Sequence, residues 1–148
     1  MNLRTLNLLV STPRDTVFNF LADIENLPRW APSLCERLYL FGGRWMTLSR
    51  QGELPVELET EARSGVIDLH AGTGRKDSAV LPLRVLAVAE GSTLISVTYL
   101  PAPEWPAGVM QCDADAFEGD LEALVRRFGG GEVCAPAPLP QLAELGVN

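Results

Sequence analysis

Acid–base residues are few in this sequence, and none stands in a known catalytic pattern. The single histidine, His70, lies in VIDLHA, where alternation places it with Asp68 and opposite Ile67 and Leu69. We therefore expect His70 to lie on the surface beside a carboxylate and to take no part in catalysis. In VELETEA, from Val56 onward, glutamates alternate with apolar residues, which predicts a strand with a solvated acidic face. The sequence assigns no catalytic residue.

Arg84 and Tyr99 are the residues that could bind a polar group of a ligand. Arg84 stands in an otherwise apolar strand, and its guanidinium could hold a carboxylate or a ketone through two hydrogen bonds. Both faces of this strand are apolar, so the orientation of Arg84 stays open, and we favour a surface ion pair. Tyr99 falls on the apolar side of TLISVTYL, where its hydroxyl would be an isolated polar group.

Motifs for phosphate, metal or nucleophile chemistry are absent from the sequence. The segment GTGRKD, residues 72–77, lacks the spacing of a phosphate-binding loop, and no serine stands in a Gly-x-Ser-x-Gly context. Cys35, Cys112 and Cys134 are widely spaced and form no Cys-x-x-Cys pair. We expect no metal, no cofactor and no disulfide framework, and a cytoplasmic location.

Composition limits the size and the partners of the protein. A chain of 148 residues, 47% of them hydrophobic, predicts one globular domain with a real core. The net charge of −7 disfavours binding to nucleic acids, and no apolar run is long enough for membrane insertion. Three glycines and a Pro-Ala repeat follow Phe128, which predicts a domain over residues 1–130 and a loosely attached tail over residues 131–148.

The N-terminal region predicts a strand, a short helix and a break before Trp30. LRTLNLLV alternates like a strand, and the next segment begins with Thr12 as a helix N-cap and Pro13 in the first helical position. The first helix must end before Pro28, because a residue that precedes proline disfavours the helical conformation. Trp30 follows at once, held between Pro28 and Pro32.

The rest of the chain predicts an antiparallel sheet and a closing helix. Six alternating segments are joined by short turns, the clearest being Gly42-Gly43. Whether Trp45 or Met46 faces inward stays open. The last helix, capped by Asp113 or Asp115 and ended by Gly129, has one apolar stripe, which consists of Phe117, Leu121, Leu124, Val125 and Phe128.

Several segments together resemble the SRPBCC superfamily, which includes START domains, Bet v 1-like proteins and polyketide cyclase/dehydrase-like proteins. The resemblance lies in LLVSTPRDTVFNFLADIENLPRWAP, GVIDLHA, LPLRVLAVAEGSTLISVTYLP and DAFEGDLEALVRRF. It implies an α+β helix-grip fold: a curved antiparallel sheet of about seven strands wrapped around the long C-terminal helix, with two short helices after the first strand. It also implies a cavity between the sheet and that helix.

We accordingly expect a small hydrophobic ligand, such as a lipid, an aromatic or a polyketide-like molecule, bound by apolar walls with a few polar groups. The predicted contacts are Trp30, Leu58, Thr60, Ile67, Leu69, Arg84, Tyr99, Trp105, Phe117 and Leu121. One alternative is a cyclase or dehydratase in which Tyr99 or Arg84 polarises a carbonyl or transfers a proton. Another is a protein-interaction module without a ligand. A homodimer stays open.

Overall fold

The computed structural model of the chain describes residues 3–49, 52–72, 79–100, 108–109, 113–130 and 133–134. Its helices are α1 (Arg14–Leu21), α2 (Leu27–Trp30) and α3 (Ala114–Arg127), and a 3-10 turn covers Ile24–Asn26. Its strands are β1 (Arg4–Val10), β2 (Arg37–Phe41), β3 (Arg44–Ser49), β4 (Gly52–Glu61), β5 (Val66–Ala71), β6 (Ala79–Ala89), β7 (Ser92–Tyr99), β8 (Gly108–Val109) and β9 (Val133–Cys134). The predicted order of strand, short helices, sheet and long helix is confirmed.

The strands form one sheet in the order β2-β3-β4-β5-β6-β7-β1-β9, with β8 beside β6. Every pairing along that order is antiparallel, and only the short β8 runs parallel to its neighbour. Consecutive strands from β2 to β7 are neighbours, as expected for strands that short connections join in the sequence. The long α3 packs on one face of this sheet, so the protein has the predicted helix-grip α+β fold.

The junction between β1 and α1 differs from the sequence prediction by one residue. Pro13, rather than Thr12, occupies the N-cap of α1, and no side chain caps this helix. The Thr12 hydroxyl instead donates to the carbonyl of Phe128 at 2.7 Å, and the Thr12 carbonyl accepts from the Thr93 hydroxyl at 2.6 Å. The prediction of Thr12 as the N-cap is therefore wrong. Its two hydrogen bonds connect the end of β1 to the end of α3 and to β7.

The core lies between the sheet and the helices. Alternate residues of β5 and β7 are buried, as the alternation in the sequence predicted. In β6, whose orientation the sequence left open, alternate residues from Ala79 to Val85 are buried. The stripe of α3 closes on them, with Phe117 and Leu121 fully buried. Asp113 caps α3 by accepting from the Ala116 amide at 3.0 Å, and Gly129 ends it with a φ of 69°.

The sheet divides in the middle of β4. Residues Gly52 to Pro55 of β4 pair with β3, whereas Val56 to Glu61 pair with β5. The Gly72 amide donates to the Pro55 carbonyl at 3.0 Å, which fixes the antiparallel pattern and turns the backbone groups of Val56, Leu58 and Thr60 away from β5. Within the described part of the chain, no strand pairs with that side of β4 beyond Pro55.

Candidate functional site

A cleft of about 950 Å³ lies where β3 leaves β4. The tip of the β2–β3 hairpin forms one wall, β4 and the end of β5 form another, and the end of α1 with the following 3-10 turn forms the third. Its lining is partly apolar and partly polar, and it consists of Ala22, Ile24, Gly43, Arg44, Trp45, Pro55, Val56, Glu57, Leu58, Glu59, His70 and Gly72.

The apolar wall of the cleft is centred on Trp45. Gly42 and Gly43 both have positive φ, at 60° and 77°, which allows the tight turn that brings β3 back beside β2. Trp45 is partly buried and packs against the edge of the hydrophobic core. Its inward orientation, which the sequence left open, places the indole beside Leu58 in the lining of the cleft.

The polar wall of the cleft consists of side chains from the outer face of β4 and β5. His70 Nε2 lies 3.1 Å from Glu59 Oε2, and the His70 side chain is 32% exposed. Glu57 stands directly opposite His70 in the strand register. The expectation of a surface histidine beside a carboxylate is confirmed. Nothing in the sequence predicted that this pair would line a cleft, because that depends on where β3 parts from β4.

Most of the predicted ligand contacts lie in the core between the sheet and α3. Tyr99 and Phe117 pack edge to face, with ring centroids 5.1 Å apart. The buried set, each member 3% exposed or less, is Trp30, Ile67, Leu69, Tyr99, Phe117 and Leu121. All six belong to the hydrophobic core. The cavity between the sheet and α3, and the role of these side chains as ligand contacts, stay predictions.

Three of the remaining four predicted contacts are described, and they do not lie together. Leu58 is partly buried and lines the cleft, whereas Thr60 on the same strand is exposed. Arg84 points to the outer face, where its Nη1 donates to Asp68 Oδ1 at 2.8 Å, so the favoured ion pair is present. Trp105 lies outside the described residues.

The Tyr99 hydroxyl fastens α3 to the sheet. It donates to Glu118 Oε1 at 2.6 Å, and the Arg4 guanidinium contacts the same carboxylate oxygen. Burial raises the pKa of Tyr99, and the hydrogen bond from Tyr99 lowers the pKa of Glu118. A second tie joins Ser33 to α3, because its amide and its hydroxyl both donate to Asp120 Oδ2. Neither tie is part of the cleft.

The described residues contain no group of three or more His, Cys, Asp or Glu side chains placed to hold a metal ion. In the same part of the chain, no helix has both the length and the apolar character needed to cross a membrane.

Trp45, Arg44 and Ile24 are cleft residues that the sequence analysis did not select. The one local signal for them was the Gly42-Gly43 turn, which places Arg44 and Trp45 at the tip of a hairpin. Nothing in the sequence placed that tip and the end of α1 around one cleft, because their relative position depends on the tertiary fold.

Similar structures share the fold at low sequence identity. A START superfamily protein from Mycobacterium smegmatis is 14% identical, covering 84% of this chain and 97% of its own, with a TM-score of 0.54. The Zhui aromatase/cyclase from Streptomyces sp. R1128 is 17% identical, covering 85% and 86%, with a TM-score of 0.50. Norcoclaurine synthase from Thalictrum flavum, in complex with dopamine and hydroxybenzaldehyde, is 11% identical, covering 85% and 87%, with a TM-score of 0.56.

No protein-family model matches the sequence, and no curated protein matches it. The structural similarity confirms the fold that the SRPBCC resemblance implied. At these identities it shows the fold alone.

Proposed function

We propose that the protein binds a small, largely apolar molecule in the cleft between the β2–β3 hairpin, β4 and the end of α1. The observation that carries this proposal is the cleft itself. Its volume of about 950 Å³ lies in the range of small-molecule sites, roughly 300–1,000 Å³. Trp45, Val56 and Leu58 supply apolar surface, and polar contacts come from the backbone groups on the side of β4 that no described strand pairs with.

The proteins of similar structure support an aromatic ligand. One of them is an aromatase/cyclase, and another was crystallised with dopamine and hydroxybenzaldehyde. In this chain, Trp45 offers an aromatic ring against which a planar molecule could stack. An aromatic or polyketide-like ligand therefore suits the cleft better than a long acyl chain.

Native mass spectrometry of the freshly purified protein tests whether a small molecule is bound to the protein. Titration with a fluorescent apolar probe then locates the site through two matched variants, Leu58→Glu in the cleft and Leu86→Glu on the exposed face of β6. We expect Leu58→Glu to weaken probe binding at least about tenfold, because a carboxylate replaces apolar wall, and Leu86→Glu to leave it unchanged. Equal affinities of the folded variants would contradict the proposal.

Acid–base catalysis on the bound molecule is a second candidate, and the His70–Glu59 pair in the cleft is the observation that favours it. The two residues that the sequence analysis considered for catalysis, Tyr99 and Arg84, are both engaged outside the cleft. If His70 transfers a proton, His70→Gln should keep probe binding and lower turnover about a hundredfold or more. Unchanged turnover would agree with the sequence-based expectation that His70 takes no part.

A further inference from the structure

Three stretches of the sheet edge can be compared in the described part of the chain. At one end, β1 is covered by β9, which pairs with Asn7 and Leu8. In the middle, the open half of β4 carries Glu57, Glu59 and Glu61, all exposed. Charged side chains of this kind oppose the pairing of an edge with another strand. The third stretch is β2, at the other end of the sheet.

The edge strand β2 carries one charged side chain, Arg37 at its first residue, compared with three on the open half of β4. Among the described residues it pairs only with β3. Leu40 is 59% exposed and Phe41 is 73% exposed, the two most exposed large hydrophobic side chains of the described chain. An exposed apolar edge strand is a surface on which another strand can pair.

The hairpin geometry shows which backbone groups of β2 are available. Gly42 and Gly43 form a two-residue loop, so Phe41 and Arg44 make the hydrogen-bonded pair beside it. Alternate residues of β2 therefore bond to β3, and the amide and carbonyl groups of Leu38 and Leu40 point outward from the sheet.

We propose that two copies of this chain associate through β2, antiparallel, with Tyr39 on the two-fold axis. In this register Leu38 of each copy stands opposite Leu40 of the other, and the outward groups of these residues form four hydrogen bonds between the copies. Arg37 stands opposite Phe41, where a guanidinium can lie over an aromatic ring. Every cross-strand pair is favourable or neutral.

Self-complementarity is what points to a second copy as the occupant. The same operation on the open half of β4, centred on Leu58, would place Glu57 opposite Glu59, and like charges directly opposite are destabilising. The proposed interface uses Arg37 to Phe41, whereas the hairpin residues that line the cleft are Gly43, Arg44 and Trp45. The dimer and the ligand site therefore involve different residues of the hairpin.

Sedimentation velocity of the full chain over a range of concentrations tests the dimer. We expect a reversible monomer–dimer equilibrium that Leu40→Lys weakens at least about tenfold, since the symmetric interface contains the change twice. Leu86→Lys is the matched control, because Leu86 is an exposed leucine of β6, which lies inside the sheet. A wild-type monomer at every concentration, or a dimer equally sensitive or equally insensitive to both variants, would overturn the proposal.

Cysteine substitution tests the register. In a background with Cys112→Ser and Cys134→Ser, oxidised Tyr39→Cys should form a disulfide-linked dimer, because residues facing across a non-hydrogen-bonded pair have Cα atoms about 4.5 Å apart. Leu40→Cys should stay unlinked, since Leu40 faces Leu38 and not itself. Burial raises the pKa of the Cys35 thiol to about 11, so this remaining cysteine does not compete. Linkage of Leu40→Cys as fast as Tyr39→Cys would reject the register.

Discussion

Leu58 and Leu69 face each other across β4 and β5, yet they lie in two different environments. Leu69 is 1% exposed and belongs to the core beneath α3, whereas Leu58 is partly buried and lines the cleft. The two residues form one cross-strand pair, so the difference lies in what covers each strand. The sheet is covered where α3 packs on it, and it borders a cleft where β3 parts from β4.

The elements that pack on the sheet explain why side chains are buried in the core and border open volume in the cleft. Over the core, α3 presents a continuous stripe of large side chains, and its ties to Tyr99 and Ser33 hold it against the sheet. Over the cleft, the end of α1 and the 3-10 turn contribute only Ala22 and Ile24. These two side chains offer less apolar surface than the stripe of α3, and the cleft remains between them and Trp45 and Leu58.

Truncation of the α3 stripe is expected to have the largest effect on stability. Phe117 is fully buried and packs edge to face on Tyr99. Phe117→Ala removes a ring from a close-packed site and should cost about 3–5 kcal/mol of unfolding free energy, measured by urea denaturation. Glu122→Ala, on the exposed side of the same helix, should change it by less than about 0.5 kcal/mol. A loss near 1 kcal/mol for Phe117→Ala would mean that the core beneath α3 contains open space.

Enlargement of the two facing leucines distinguishes the regions directly. Leu69→Trp overfills a packed site and should cost about 1–3 kcal/mol. Leu58→Trp places the same indole beside open volume, so the thermal midpoint should hold or rise while the apolar probe no longer binds. Equal destabilisation by both variants, together with no probe binding to the wild type, would remove the ligand-binding proposal.

The core could be predicted from the sequence and the cleft could not, because they depend on different ranges of interaction. Alternation in β5 and β7 and the spacing of the α3 stripe are local patterns, and each is confirmed by the burial of Ile67, Tyr99 and Phe117. The cleft depends on the residue at which β3 parts from β4. The orientations of Trp45 and Arg84 also required the strand register, which places Arg84 beside Asp68.

The two carboxylates that tie α3 should respond to pH in opposite directions. The hydrogen bond from Tyr99 lowers the pKa of Glu118 below 4.5, so Glu118 contributes stability above that pH and loses it as the pH falls through its folded pKa. Burial raises the pKa of Asp120 above 3.8, so its contribution is present at lower pH and is lost as the pH rises through its folded pKa.

Urea denaturation between about pH 3 and pH 7 measures both ties. The wild-type advantage over Glu118→Gln should grow as the pH rises, and the advantage over Asp120→Asn should shrink. Both changes are expected to be smaller than the effects of the core substitutions, because neither carboxylate is fully buried. If both advantages changed in the same direction with pH, the pKa shifts of Glu118 and Asp120 would not be opposite.

Deletion of the tail is expected to have the smallest effect. Two of its residues, Val133 and Cys134, pair with β1, and the domain boundary near residue 130 is a proposal from the glycine run. Removing residues 132–148 should change the unfolding free energy by less than about 1 kcal/mol. A shorter deletion of residues 135–148 keeps β9, so the difference between the two truncated proteins isolates its pairing with β1. A large loss in both would show that the tail packs on the core, whereas a change in probe affinity at unchanged stability would place it over the cleft.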